Sequence, residues 1–296
     1  MKLNKLSSIR CILEDFWELS KPRVVALMLV TVLVGMLMAP HAAPLNAPLI
    51  LATLMGLALC AGSAAAINHM LDSHIDTKMR RTENRPVATG RITPNQALIF
   101  SLILATVGTA LLYFMVNPLT ALLTFLSLLG YAVVYTGFLK RMTTQNIVIG
   151  GLAGAAPPLL GWTAVTNHID PQGLLLVLII FVWTPPHFWA LALHRLKDYQ
   201  NIEIPMFPVI YGEKLTQLHV LLYVLLLIIV TLLPYLIGMC GLLYLIGVML
   251  LNIRFLYWAY VLYQKNIPNA ALSTFKYSIM YLLGLFILLL ADHYLF

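Results

Sequence analysis

Residues 49–90 read LILATLMGLALCAGSAAAINHMLDSHIDTKMRRTENRPVATG. The first part, 49–67, carries no charge, whereas Asn68 to Gly90 holds three acids and four bases. An uncharged run of that length is what a membrane-spanning helix requires, about 20 residues for a hydrocarbon core of roughly 30 Å. The charges that follow at once mark where such a helix leaves the core. The fold then depends on how often this pattern recurs.

It recurs along the whole chain. Charge-free blocks cover 24–71, 92–139, 142–169, 171–194, 215–253 and 277–291. The 296 residues are 61% hydrophobic and 10% charged, with a mean hydropathy of +0.89, which excludes an ordinary soluble domain. Blocks near twice the length of a span are predicted to fold as two helices around a turn. Turn residues stand where they are needed, in the proline-bearing stretch 40–48, at Asn117-Pro118 and from Gly238 to Gly241. Nine helices are predicted, at 23–40, 48–71, 94–115, 118–139, 145–165, 172–194, 215–237, 241–263 and 275–293. The expectation is an all-α, polytopic membrane protein, with a cytoplasmic segment 1–22 and a single transmembrane domain 23–296.

Orientation follows from where the bases fall, since Lys and Arg accumulate in short cytoplasmic loops. With the N-terminus inside, all 18 basic residues lie on one side or, for Arg254, in the inner half of the eighth helix. The opposite loops carry Asp170, Asp292 and histidines. An N-in, C-out topology is therefore expected. The net charge of +7 reflects this orientation and calls for no nucleic-acid partner. A cleaved signal peptide is not expected at MAPHAA, because Glu14, Asp15 and Glu18 precede it. Cys11, Cys60 and Cys240 are scattered, without the spacing of a disulfide framework or thiolate metal site.

If the second helix continues past Leu71, then Asn68, Asp72 and Asp76 recur every fourth residue and share one face. Two acids at that spacing repel each other, so positive charge is expected beside them. One reading is an ion-paired, solvated helix end, with Asp76 facing Arg80. The other is a Mg²⁺ site, since that hard cation takes one or two carboxylates together with substrate phosphates. Lys78, Arg80, Arg81 and Arg85 would then meet the phosphate oxygens. A second polar cluster, HRLKDYQNIEIP at 194–205, offers Asp198 to a second Mg²⁺ and Arg195 and Lys197 to phosphate. An ordinary loop reads the same way, because the residue four after Asp198 is Ile202. Lys140-Arg141 alone is a positive-inside anchor.

Together these residues resemble the UbiA superfamily of intramembrane aromatic prenyltransferases. The resemblance rests on NxxxDxxxD with RTENRPVATG, SKPRVV at 20–25, VYTGFLKR at 134–141, GGLAGAAPPLLGW at 150–162, WTPPHF at 183–188 and KDYQNIEIPMFPV at 197–209. GAAPP, PHF and KDYQ point to its haem-farnesylating branch, although the second Asp-rich loop is reduced here to Asp198. The resemblance implies a nine-helix bundle that transfers farnesyl from farnesyl diphosphate to a vinyl group of haem B, with water addition, giving haem O. It implies Mg²⁺ on Asn68, Asp72, Asp76 and Asp198, with Asp72, Asp76, Asp198 and His187 as the catalytic set. Diphosphate contacts would come from Lys78, Arg81, Arg85, Lys140, Arg141, Arg195 and Lys197. The haem or prenyl pocket would include Tyr135, Trp183, His187 and Tyr199. His187 would touch haem iron, guide the quenching water or bond a carbonyl freed by Pro185-Pro186. Trp162, Trp183 and Trp189 would line a porphyrin pocket or anchor at the interface. Gly150, Gly151 and Gly154 are expected to permit close helix packing. His69 and His74 are expected to stand aside from the metal face. Further partners are the lipid bilayer and, for assembly, a haem A synthase or a terminal oxidase; a bacterial inner membrane is the expected location. The rivals are a UbiA-type enzyme for a quinone precursor and a transporter, whose acids would be expected near the bilayer midplane.

Overall fold

Proline and asparagine set where the helices begin. In the computed structural model, which describes residues 12–40, 44–79, 82–200, 205–264 and 268–295, prolines occupy the first turn of most long helices. There the missing N–H costs nothing. Asn46 and Asn117 accept the Leu49 and Thr120 amides at 2.8 Å, and Thr93 closes a capping box with Gln96.

In chain order the helices are α1 (Ile12–Leu19), α2 (Pro22–Met38), α3 (Ala47–Leu71), the single turn α4 (Ser73–Asp76), α5 (Pro94–Met115) and α6 (Pro118–Leu129). The last runs into a π-helical segment, Gly130–Leu139, and the short α7 (Lys140–Met142). Then come α8 (Asn146–Ala155), α9 (Pro157–Thr166), α10 (Pro171–His194), α11 (Leu196–Gln200), α12 (Phe207–Leu236), α13 (Leu242–Gln264) and α14 (Ala270–Leu295). Among the described residues, eight helices are long and apolar enough to cross a membrane, counting α6 through α7 and α8 with α9 as one span each. A ninth arises if α1 and α2, bent by 44°, form one span. The first described helix pairs Asp15 with Arg91 beside the acidic segment, whereas the Tyr294 hydroxyl near the other end donates to the Leu37 carbonyl. The first described helix and the end of α14 thus lie at opposite ends of the bundle.

Four boundaries differ from expectation. The seventh long helix starts at Phe207 instead of 215, and Gly212 breaks it with φ +81°, a conformation glycine tolerates. The ninth starts at Ala270 instead of 275. In the seventh, Glu213 and Lys214 stay helical beyond the apolar run, and in the ninth the uncharged stretch from Ala270 to Thr274 is helical as well. The fourth ends as a π-helix, with the Thr136 hydroxyl donating to the Tyr131 carbonyl at 2.9 Å. The fifth divides at Ala156, before Pro157-Pro158.

Small residues let the backbones touch. A Cβ on Gly35 would run into the Pro158 carbonyl, and one on Gly161 into the Val32 carbonyl, so α2 and α9 are locked at main-chain contact. Gly150 lies under the Tyr135 ring and Gly151 against Thr184, whereas Gly154 has nothing within 4 Å of an added Cβ. In the second half of the bundle, Asn252 links the Tyr281 hydroxyl to Thr231, whose carbonyl accepts from Tyr244. Asp292, 3% exposed, takes the Gly241 and Tyr244 amides at the start of α13. Gly161→Val should therefore destabilise the protein by about 1–3 kcal/mol, as forced overpacking does. Gly154→Ala should leave the thermal midpoint in detergent unchanged. Equal midpoints for both variants would contradict main-chain contact between α2 and α9.

Candidate active site

Asp72 ends α3 with a non-helical ψ of 1°, yet its amide still bonds the Asn68 carbonyl, and the Asp76 amide bonds that of Asp72. The face therefore survives the break. Asn68, Asp72 and Asp76 are 5%, 1% and 3% exposed. Asn68 Nδ2 donates to Asp72 Oδ2 at 2.6 Å. The solvated helix end considered from the sequence is thus replaced by a buried polar cluster.

Each acid has its own cation, brought from elsewhere. Lys140 Nζ lies 2.5 Å from Asp72 Oδ2, delivered by the π-segment and by Asn146, whose side-chain amide holds the Lys140 carbonyl at 3.3 Å. Arg85 folds back along the loop after α4 and places one nitrogen 2.8 Å from both oxygens of Asp76. The Thr82 hydroxyl pins that loop to the Asp76 carbonyl. A third cation enters from Lys21, which sits in the bend between α1 and α2 with φ +48°. Its ammonium donates to Asn68 Oδ1 at 2.5 Å. Among the described residues three basic groups face two carboxylates, and Lys21 is paired only with a neutral amide.

Beneath the cluster lies an apolar cavity of roughly 370 Å³. Lys21 lines its polar end together with Tyr131 and Tyr135, whose rings are 5.4 Å apart; α2, α3, α6, α8, α9 and α10 supply the walls. Trp183 lines it from α10 and donates its indole N–H to the Ser278 carbonyl at 2.8 Å. His187 stacks on Trp183 with centroids 4.2 Å apart and lies 4.7 Å from Phe275. Its Nδ1 is 2.6 Å from Ser278 Oγ, and the Ser278 proton is committed to the Phe275 carbonyl. The serine must therefore accept, so Nδ1 carries the hydrogen and Nε2 keeps its lone pair.

The remaining expected residues are dispersed. Arg141 donates to the Leu71 carbonyl at the end of α3. Lys78 is exposed, and Arg81, like Arg80, lies outside the described residues. Asp198 is exposed on α11 and lines a separate hollow with Arg195, Lys197 and Glu213. Its neighbour Tyr199 joins the small core of Met79, Ile147, Ala192 and Met206, against which Ile75 also packs. Trp162 donates to Asp170 and Trp189 packs on Phe207, so neither lines the cavity. His69, expected as a bystander, is 2% exposed with neither ring nitrogen hydrogen-bonded; His74 is exposed. Lys21, Tyr131 and Asn146 were absent from the residues expected at the site. Only the SKPR stretch, with a lysine just before an apolar helix, hinted at the first.

Two carboxylates and a carboxamide, with Asp72 Oδ1 buried and unpartnered, form an oxygen donor set that suits Mg²⁺. Among the described residues no three His, Cys, Asp or Glu side chains converge, so a cation here would need ligands from the substrate or water beside these residues.

Comparison with known proteins gives the same architecture. A Legionella pneumophila protein named protoheme IX farnesyltransferase is 61% identical over 281 residues, 95% of each chain. A Pseudomonas putida protein named protoheme IX farnesyltransferase 1 is 60% identical over 290 residues, covering 98% of this chain and 97% of that one. The fold matches a structure described for digeranylgeranylglyceryl phosphate synthase, with a TM-score of 0.80 at 20% identity over 95% of this chain and 98% of that one. It also matches a UbiA homologue from Archaeoglobus fulgidus bound to GPP and Mg²⁺, with a TM-score of 0.61 at 14% identity over 93% of this chain and 99% of that one. Residues 28–289 fit the UbiA prenyltransferase family, and the chain belongs to that family of membrane-embedded prenyltransferases.

Proposed function

We propose that the protein transfers farnesyl from farnesyl diphosphate to a vinyl group of haem B, with addition of water, to give haem O. The observation that carries the first half is a cation-rich acidic cluster seated directly on an apolar cavity. A ligand with a polyanionic head and an isoprenoid tail satisfies both. The names of relatives about 60% identical over nearly the whole chain support haem as acceptor. The same likeness and the distribution of basic residues support a bacterial inner membrane with the polar end facing the cytoplasm.

Asn68, Asp72 and Asp76 would hold Mg²⁺, which supplies positive charge to the diphosphate as it leaves. Lys21, Arg85 and Lys140 donate to the diphosphate oxygens, exchanging their present partners for a more negative one. The carbon–oxygen bond at farnesyl C1 breaks with its electron pair going to diphosphate. The terminal vinyl carbon of haem B then bonds to C1. Water captures the cation left beside the pyrrole ring and loses a proton, so haem B, farnesyl diphosphate and water yield haem O, diphosphate and that proton. Tyr131, Tyr135 and Trp183 wall the place where the cation forms and keep bulk water out until the last step. His187 packs behind Trp183 against α14, outside the cavity lining, and its Nε2 lone pair would take the water proton or meet haem iron only where the acceptor reaches past Trp183. From its separate hollow on α11, Asp198 would complete the acid set at the rim, with Arg195 and Lys197 adding positive charge there. Lys78 and Arg141 would extend the basic rim, and Arg81, outside the described residues, is proposed with them from the sequence alone.

Purified protein in detergent, given haem B, farnesyl diphosphate and Mg²⁺, should form haem O. Asp72→Ala and Asp76→Ala should each lower this turnover by roughly 100-fold or more, the scale of removing one charge-stabilising group, while the protein still elutes as folded. Full activity in either variant would sink the metal assignment, and prenylation of a hydroxybenzoate without haem turnover would sink the acceptor. Lys21→Gln should weaken farnesyl diphosphate binding by about tenfold, as loss of a charged hydrogen bond does. Lys21→Arg should restore most of that affinity, and unchanged binding in the Gln variant would remove Lys21 from the diphosphate site.

A further inference from the structure

Away from the polar end, the lining of the apolar cavity stops at one residue on each of five helices. Moving away from the polar end, the last lining residue is Val32 on α2, Leu57 on α3, Thr124 on α6, Leu160 on α9 and Ile180 on α10. All five are buried, at 1%, 5%, 3%, 5% and 5% exposed. The Thr124 hydroxyl is turned back onto the Thr120 carbonyl, so no polar group interrupts this floor. Val32 is fixed by the main-chain contact with Gly161, and Val32, Leu57 and Leu160 belong to one packed core. The floor cannot recede without separating α2 from α9.

Its depth can be counted on two helices. From Lys21 to Val32 and from Asn68 to Leu57 the separation is eleven residues in each case, roughly 16 Å at the helical rise. An isoprene unit adds four main-chain carbons joined by bonds of about 1.5 Å, so three units in an extended zigzag span roughly 15 Å. Near the polar end the wall is less complete. Val24, one turn from Lys21, is 53% exposed, and Phe188 is 39% exposed. A flat acceptor needs an opening at that level to reach C1, which directs the tail down the well.

We propose that Val32, Leu57, Thr124, Leu160 and Ile180 form a floor that measures the prenyl chain and sets a fifteen-carbon tail as the preferred donor. This rests on the prenyl diphosphate reading of the site. A twenty-carbon tail meets the floor before its diphosphate reaches Asp72 and Asp76, and a ten-carbon tail leaves the lower well unfilled.

The test is competitive binding of geranyl, farnesyl and geranylgeranyl diphosphates, with Mg²⁺ and without haem, to purified wild-type protein and floor variants. Leu57→Ala and Leu160→Ala should each move the affinity ratio of geranylgeranyl to farnesyl upward by about tenfold or more, on the scale of added pocket space in prenyl-sized steps. Leu57→Phe should move preference toward geranyl. Size-exclusion profiles select the variants that remain folded, and the enlarging and filling changes should act in opposite directions. Unaltered ratios in folded variants would overturn the floor and mean that the tail leaves through the gap at Val24 and Phe188 into lipid. Because acceptor turnover is not read, a wild-type protein that binds farnesyl diphosphate with this preference yet makes no haem O would refute only the haem assignment. Failure of the wild-type protein to bind any of the three diphosphates would refute the prenyl diphosphate reading and the floor with it.

Discussion

Two carboxylates buried where an apolar bundle meets the membrane surface are the constraint on which the rest of this protein depends. Asp72 and Asp76 are 1% and 3% exposed, and an uncompensated charge at such a place costs several kcal/mol. Neither acid can be satisfied locally, because α3 upstream of them is uncharged. Lys140 therefore comes from the end of the fourth span and Arg85 from a loop that turns back, so the pairs Asp72–Lys140 and Asp76–Arg85 fix two connections of the chain against α3. The break at Asp72 and the π-segment before Lys140 lie where that compensation is made.

The apolar half obeys a different rule. In lipid there is no hydrophobic drive to bring helices together, so contact depends on small residues that let backbones approach. Gly35 and Gly161 set α2 directly on α9, while Gly150 and Gly151 receive Tyr135 and Thr184. The division at Ala156 and the open side of Gly154 then leave space that no side chain fills. The cavity results from tight packing at one level and interrupted packing at the next, with the ion cluster closing its polar end.

Much of this was legible in the sequence because it is local. The uncharged blocks gave the spans, and a repeat of four put Asn68, Asp72 and Asp76 on one face whether or not the helix ran on unbroken. Arg85 could be named as a base near the acids, whereas Lys140 read alone as a positive-inside anchor and entered the site only through the resemblance. Lys21 was missed because its relation to Asn68 spans 47 positions and depends on a bend. Tyr131 was missed because a regular helix was assumed where the turns widen. Asp198 is the opposite case. Matching depth along the sequence placed it across from the acid pair, yet α11 leaves it exposed beside Lys197 and Glu213. Depth is one coordinate, and the side to which a short surface helix turns depends on what it packs against, here Tyr199 entering the Met79 core.

The same ion pairs that make the cluster affordable also prepare it for exchange. A pair made inside a protein gains little over its desolvation cost, because attraction and lost hydration nearly cancel. Transferring Lys140 and Arg85 from a carboxylate to a diphosphate therefore does not cross a deep well, provided that a divalent cation takes over the freed carboxylate oxygens. Asp72 Oδ1 already lacks a hydrogen-bond partner and needs nothing released before it can bind a cation. Lys21 holds only an amide and gives up least. On the proposed reading, binding of the donor and loading of the metal would be thermodynamically linked, each removing the charge imbalance that the other would leave. In a bundle that cannot expose an unpaired charge to lipid, the two should load as one unit.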